Sequence, residues 1–274
     1  MKVSVAMCTY NGARYLQEQL DSLASQAHLP FELIVCDDRS TDKTMEIVNR
    51  FSQSAPFPVC FTQNHKNLGS TQNFSRAIIS CSGDLIALCD QDDIWNPEKI
   101  KKQVQVFEQD LTVGGVFCDG ELIDSGSRPL NRSLWDSVTF SSSMRKQVRA
   151  GNAVFAMMRQ SFVTGATLMF KSGLRSRFLP IPGEWVHDAW IAWMIALHSK
   201  LYLLSDRLIN YRIHADQQIG ADLQSLQDRL GRDRKQVINQ HAIDLRRLMS
   251  LELRMSEDEP GNGTPYLKLI RKNS

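Results

Sequence analysis

Leu85-Ile86-Ala87-Leu88-Cys89-Asp90-Gln91-Asp92-Asp93-Ile94-Trp95-Asn96-Pro97 begins as a short apolar run and ends in three carboxylates within four residues. Asn96 is a good N-cap and Pro97 suits the first helical position, so the stretch predicts a helix over Pro97 to Gln109. The acids then sit where a buried strand leaves its sheet, and in open α/β sheets ligands bind at that carboxyl end. Three clustered carboxylates repel one another, and a divalent cation is the usual way to stabilise them. Oxygen ligands that leave coordination positions open suit Mg2+ or Mn2+ held partly by substrate phosphates. A solvated acidic loop capping a helix is the plainer alternative. The strand before it and the capped helix after it tip the balance toward metal.

Working outward, the same alternation recurs. Val3 to Cys8 reads as a first buried strand, broken by Thr9-Tyr10-Asn11-Gly12, with Tyr15, Leu16, Leu20 and Leu23 at helical spacing after it. Phe31 to Cys36 is a second strand ending in Asp37-Asp38-Arg39-Ser40-Thr41-Asp42, whose polar side chains offer N-caps for a helix carrying Met45, Val48 and Phe51. Val59 to Thr62, a loop from Asn64 to Ser70 and a helix through Ser80 follow. Short apolar strands alternating with amphipathic helices predict a mostly parallel sheet covered on both faces. The polar loops after the first, second and fourth strands then gather along one rim.

Beyond Val113 to Cys118, the pattern weakens from Gly120 to Gln160, which reads as an insertion or mobile flap. Phe162 to Phe170 is apolar again. Leu179-Pro180-Ile181-Pro182-Gly183 is a rigid turn, Val186-His187-Asp188 leads into a helix over Ala189 to His198, and Leu201 to Leu204 and Arg207 to His214 look like two short strands. From Ala221 on, the sequence reads as a helical C-terminal extension, with Leu223, Leu226 and Leu230 and then Leu245, Leu248 and Leu251. The reading is one domain over 1–220, with halves 1–119 and 120–220, and an extension over 221–274.

The 274 residues carry a net charge of only +2, which gives no reason to propose nucleic acid as a partner. The six cysteines all lie in the first half, mostly inside strand-like runs and without a CxxC pair, so buried reduced thiols in a cytoplasmic protein are expected. Met1-Lys2 precedes an apolar stretch too short for a signal-peptide core, and Ala189 to Leu197 is too short to span a bilayer.

With these pieces placed, the chain resembles the family 2 glycosyltransferases. VSVAMCTYNG, ELIVCDDRSTDKT, NLGSTQNFSRAI, GDLIALCDQDDIWNPEKI, TGATLMF, VHDAWIA and YRIH stand in the family's order, from Val3 to about Gly220. DQDDIW, HDAW and YRIH look most like bacterial rhamnosyltransferases that build surface polysaccharides. The resemblance implies an α/β, Rossmann-like GT-A fold with a mostly parallel central sheet flanked by helices. It also implies inverting transfer from a nucleotide-diphosphate sugar, a UDP- or dTDP-sugar, to a saccharide or lipid-linked saccharide.

The resemblance also implies roles residue by residue. Thr9 and Asn11 are expected to lie against the nucleotide; Asp38 to accept a hydrogen bond from a pyrimidine N–H, with helix capping as its alternative; and Asn67 and Gly69 to let backbone approach the nucleotide, with an ordinary loop as theirs. Asp90 and Asp92 form the DxD pair, with Asp92 as direct metal ligand and Asp93 orienting its neighbours or touching the donor sugar. His214 completes the cation's ligands or packs, and a nitrogen ligand tilts the ion toward Mn2+. Asp188, at the start of an apolar helix, is the candidate general base, with plain N-capping as the alternative. Trp185 is a candidate stacking platform for an acceptor sugar, and His187 a candidate contact to the acceptor or to the residues around it, with a purely structural role as its alternative. The basic tail either packs on the domain or rests on the inner membrane leaflet.

Three other functions are weighed. A nucleotidyltransferase would carry a basic, Gly-rich phosphate loop where Thr9-Tyr10-Asn11-Gly12 stands. A non-catalytic sugar-nucleotide or carbohydrate-binding module has no need of Asp38, Asp92 and Asp188 together. An oxidoreductase lacks its G-x-G-x-x-G after the first strand.

Overall fold

The computed structural model describes residues 1–215, 246–247 and 249–254. The strands among them are β1 Val3–Thr9, β2 Glu32–Asp37, β3 Val59–Gln63, β4 Leu85–Cys89, β5 Ile94–Trp95, β6 Val113–Ile123, β7 Pro129–Ser133, β8 Leu168–Lys171 and β9 Lys200–Arg212. The helices are α1 Leu16–Ala24, α2 Thr44–Ser52, α3 Ser70–Ser80, α4 Lys99–Gln109, α5 Leu134–Ser137, α6 Ser142–Arg149, α7 Ala153–Met157, α8 Arg175–Phe178 and α9 His187–His198.

All nine strands form one mixed sheet in the order β3-β2-β1-β4-β8-β6-β9-β5, with β7 paired to β6. The expected parallel order holds from β3 through β4. There β8 enters antiparallel to both β4 and β6, and β9 runs parallel to β6. Alternate residues of each early strand go to opposite faces. Val3, Val5 and Met7 join Leu16, Leu20 and Leu23 of α1, Val48 and Phe51 of α2, and Ile100, Val104 and Phe107 of α4 in one core. The other face is covered by α3, which packs on β1 and β2 and buries Phe74, Ala77 and Ile78. A buried Leu contributes about 2 kcal/mol over its exposed state, so this layering carries much of the fold.

Four details differ from the sequence reading. First, α4 begins at Lys99, because Asn96 Oδ1 accepts the Glu98 N–H at 3.0 Å and the Asn96 carbonyl accepts the Lys99 N–H at 3.0 Å. Pro97 and Glu98 therefore form a turn before the helix. Second, the two residues ahead of that turn are β5, antiparallel to β9 through Ile94–Asn210 and Trp95–Ile209. Third, β9 is a single strand across Leu201 to Arg212, with the polar Ser205-Asp206-Arg207 taken up by a register shift against β6 at Cys118/Asp119.

Fourth, residues 120–160 are not a flap. Ser133 and Ser141 cap α5 and α6 by accepting the N–H groups of Asp136 and Met144, and Asp124 Oδ1 accepts those of Gly126 and Arg128 in the β6–β7 turn. Trp135, Phe140, Met144 and Val148 are buried, and Phe140 stacks on Phe162 at 4.2 Å.

The chain divides into two compact units, Met1–Ile181 with Val186–Ala221, and Pro182–Trp185 with Asp222–Ser274. In the second, Arg247 Nε donates to the Glu184 carbonyl at 3.1 Å and the guanidinium lies 5.5 Å from the Trp185 ring centroid. Most of the expected extension over 221–274, and the membrane contact proposed for it, lies outside the described residues. No helix among the described residues is long and apolar enough to cross a membrane. Of the six thiols, Cys60 is exposed, against the expectation of burial, because β3 is the edge strand.

Candidate active site

The acid loop leaves β4 and is fastened at once to the loop after β1. Tyr10 N–H donates to Gln91 Oε1 at 2.9 Å, and Gln91 Nε2 donates to the Tyr10 carbonyl at 3.1 Å. Gly12 makes room for this lock, since a Cβ there would lie 2.1 Å from Gln91 Oε1. Gly12→Ala is therefore expected to displace Gln91 and cost about 2 kcal/mol of stability, read by thermal unfolding. Gln91→Ala should give a similar loss, and the double variant little more. Additive losses would mean the two residues act separately.

Because β5 pairs with the end of β9, the acids and the YRIH segment meet. Asp92 Oδ2 and His214 Nε2 are 2.9 Å apart, and His214 lies 4.8 Å from the Tyr15 ring. Asp93 is buried, with Oδ1 accepting the Arg212 N–H at 3.0 Å. Burial, with help from Asp92 and Asp188, pushes Asp90 up to about 8. Asp93 is raised well above the usual carboxylate range by burial, Asp92 and Asp90. Beneath them Lys99 is fully buried, with Nζ 3.1 Å from the Trp95 ring centroid, and burial brings it down to about 8 against the pull of Cys118, Cys89, Asp93 and Asp90.

These shifts carry a sign. A carboxyl raised in the fold contributes its stability below an unfolded value of about 4 and loses it as pH climbs through its folded value. For Asp90 that loss runs up to about 8. Between about pH 5 and 7, where Lys99 stays mainly charged in both states, Asp90 should contribute a fall in the melting temperature in chelator as pH rises, opposed by His187, whose lowered basicity contributes the other way. Asp90→Asn should flatten that decline; an unchanged slope would make Asp90 an ordinary surface acid.

On the neighbouring loops, Thr9 Oγ1 donates to Asp37 Oδ2 at 2.8 Å, and Asn11, at φ 47°, accepts the Thr41 N–H on Oδ1 at 2.9 Å. Asp38 is buried and accepts from Asn64 Nδ2, the Leu68 N–H and the Gly69 N–H at 2.8, 2.7 and 2.9 Å. The carboxylate thus folds the Asn64 to Ser70 loop around itself. Asn67 Oδ1 also accepts the Gly69 N–H, at 3.1 Å. Gly69 has φ 78°, and a Cβ there would meet nothing within 4 Å, so it is the backbone angle that calls for glycine.

Across the rim, Asp188 lies in the first turn of α9. Its Oδ2 accepts the Gly165 N–H at 2.9 Å and its Oδ1 accepts the Ala189 N–H at 2.7 Å. Its charge contributes, after burial and Asp92, to the rise of Asp90. His187 is buried and stacked on Phe74 at 4.0 Å, and burial lowers its basicity. That packing makes His187 part of the α3–α9 contact. Trp185 belongs to the second unit. Among the described residues no group of three His, Cys, Asp or Glu forms a ready metal cage. Asp92 and His214 still offer an oxygen and a nitrogen at one point, which fits a cation drawing its other ligands from a substrate.

Gln91, Lys99, Glu18 and Arg212 were not singled out by the sequence reading. Arg212 lay within the quoted YRIH, yet a charged residue in a strand gives no sign of being buried.

Residues 4–164, more than half of the chain, match the family model described as Glycosyl transferase family 2. An uncharacterised glycosyltransferase of Nostoc sp. is 28% identical over 220 residues, which are 78% of this chain and 65% of that protein. The chain thus spans slightly less than two thirds of that relative. The mannosyltransferase PcManGT from Pyrobaculum calidifontis, solved with GDP-Man and Mn2+, superposes with TM-score 0.63 at 20% identity over 99% of this chain and 68% of that one. S. aureus TarS 1–349 with UDP-GlcNAc gives 0.59 at 20% identity, over 79% of this chain and 60% of that one. These likenesses establish a GT-A-type mixed sheet flanked by helices. With the matched region running from β1 through the acid loop to Thr164, the chain belongs to glycosyl transferase family 2.

Proposed function

We propose that the chain is a metal-dependent, inverting glycosyltransferase that moves a sugar from a UDP- or dTDP-sugar to a hydroxyl of a saccharide or lipid-linked saccharide. Within bacterial surface polysaccharide synthesis, rhamnose is the sugar its DQDDIW, HDAW and YRIH segments point to. The observation that carries this reading is the Asp92–His214 pair, 2.9 Å apart in the acid loop that ends β4. Asp188, held by two backbone N–H groups, is the second carboxylate the reading uses. Related GT-A structures hold UDP-GlcNAc, or GDP-Man with Mn2+, which supports a nucleotide-sugar donor and a divalent cation.

Asp92, Asp90 and His214 would hold Mn2+ or Mg2+, with the nitrogen of His214 inclining the site to Mn2+. Such an ion, when bound, supplies Lewis-acid stabilisation of the charge on the leaving diphosphate. Thr9, Asn11, Asp38, Asn67 and Gly69 form the nucleotide side, and Asp93 supports the loop next to the donor sugar. Asp188 takes the proton of the acceptor hydroxyl as that oxygen attacks the anomeric carbon. Its two N–H donors fix the carboxylate's direction.

The test is calorimetric titration with UDP and with dTDP, each in Mn2+, Mg2+ and chelator. Metal-dependent binding with preference for one nucleotide supports the reading and names the donor's base. Strong binding in chelator would reduce Asp90 and Asp92 to structural acids, and no binding would favour a binding module or another nucleotide.

A further inference from the structure

We infer that Arg212 is a positioning residue that sets the Asp92–His214 pair, an inference that rests on the metal-site reading above. Its side chain is fully buried, and its donors are spent on three separate elements, the acid loop, the β6–β7 turn and α1. Nε donates to the Asp92 carbonyl at 2.6 Å. Nη1 donates to Ser127 Oγ at 2.8 Å and to the Asp124 carbonyl at 3.3 Å, both in the β6–β7 turn. Nη2 donates to Glu18 Oε2 on α1 at 2.8 Å. The Arg212 N–H donates to Asp93 Oδ1.

The guanidinium also lies 4.5 Å from the Tyr15 ring centroid, and the same ring contacts His214 at 4.8 Å. Arg212 therefore touches one member of the pair through its main chain and the other through a shared aromatic ring. Ser127 Oγ donates in turn to Glu18 Oε2 at 2.9 Å, which closes the ring of contacts around the cation.

This arrangement asks for more than packing does. Burying a cation costs several kcal/mol before its partners repay it, and an apolar side chain fills such a space without that cost. What a planar guanidinium adds is a fork of donors in fixed directions, which lysine lacks. Those directions run to the acid loop, the β6–β7 turn and α1, so the carboxylate and the imidazole meet at a set separation. Residues that orient metal ligands without touching the ion typically change its affinity 10- to 100-fold.

The experiment titrates Mn2+ alone, followed by electron paramagnetic resonance, into the wild-type chain, Arg212→Lys, Glu18→Ala and Glu18→Gln. Melting in chelator is recorded for each. The expected result is folded variants whose Mn2+ affinity falls about tenfold for Arg212→Lys and about threefold for Glu18→Ala, with altered line shape. Glu18→Gln, which keeps an acceptor oxygen, should bind closer to wild type. Should Arg212→Lys fail to fold, the half-exposed Glu18 variants decide the matter. Wild-type affinity and line shape in the folded variants would overturn the inference while leaving the metal site standing. Absence of Mn2+ binding in the wild-type chain would remove the metal-site reading, and the inference with it.

Discussion

Asp188→Asn is expected to lower sugar transfer about a thousandfold while metal-dependent binding of the nucleotide stays near wild type. The variant keeps shape and removes one property, the ability to take a proton. Asp188 now accepts two backbone N–H groups, from Gly165 and Ala189, at 2.9 and 2.7 Å. An asparagine has one carbonyl oxygen for them and turns an NH2 toward the other, which costs about 1–3 kcal/mol of stability. Melting must therefore be measured beside activity, so that a loss of turnover is not a loss of fold. Thr9, Asp38 and the Asn64 to Ser70 loop, which the proposed function assigns to the nucleotide, bond among themselves and their own loops and not to Asp188. Binding should thus survive. A variant that folds, binds and still turns over at the wild-type rate would leave Asp188 as a helix-terminal acid and the base elsewhere.

How far this site could be read without coordinates depends on whether its parts announce themselves locally. Asp90, Asp92 and Asp38 follow apolar strands directly, so position alone puts them at the sheet rim. Asp188 follows a turn and opens an apolar helix, which is also a local signal. His214 is different. It lies 122 residues from Asp92, and what joins them is β5, a strand of two residues with no periodicity to detect.

The same limit hid Arg212, Glu18 and Gln91, whose roles exist only through partners 81 or more residues away. His187 stayed ambiguous for another reason. α9 is apolar on nearly all sides, so no polar stripe tells which face holds residue 187 and which holds 188. Residues 120–160 looked loose because their serines and glycines are caps and turn formers for short helices, whose few turns leave too little repeat to see.

Asp92→Ala should act on binding itself and in the opposite sense on stability. Like carboxylates raise one another, and Asp92 is the leading charged contributor to the rise of both Asp90 and Asp93. Removing it relieves that repulsion, so in chelator the variant should melt at or above the wild-type temperature. With Mn2+ present the wild-type chain should gain stability by mass action, and the variant should not. Loss of a direct ligand should weaken Mn2+-dependent nucleotide binding by about a hundredfold or more, since His214 is left without the oxygen 2.9 Å away that completes the pair. The two effects together separate a functional acid from a structural one. A carboxylate kept for the fold would cost stability when deleted and leave nucleotide binding alone. One kept for the cation should do the reverse, because its repulsion is tolerated only for the ligand that offsets it.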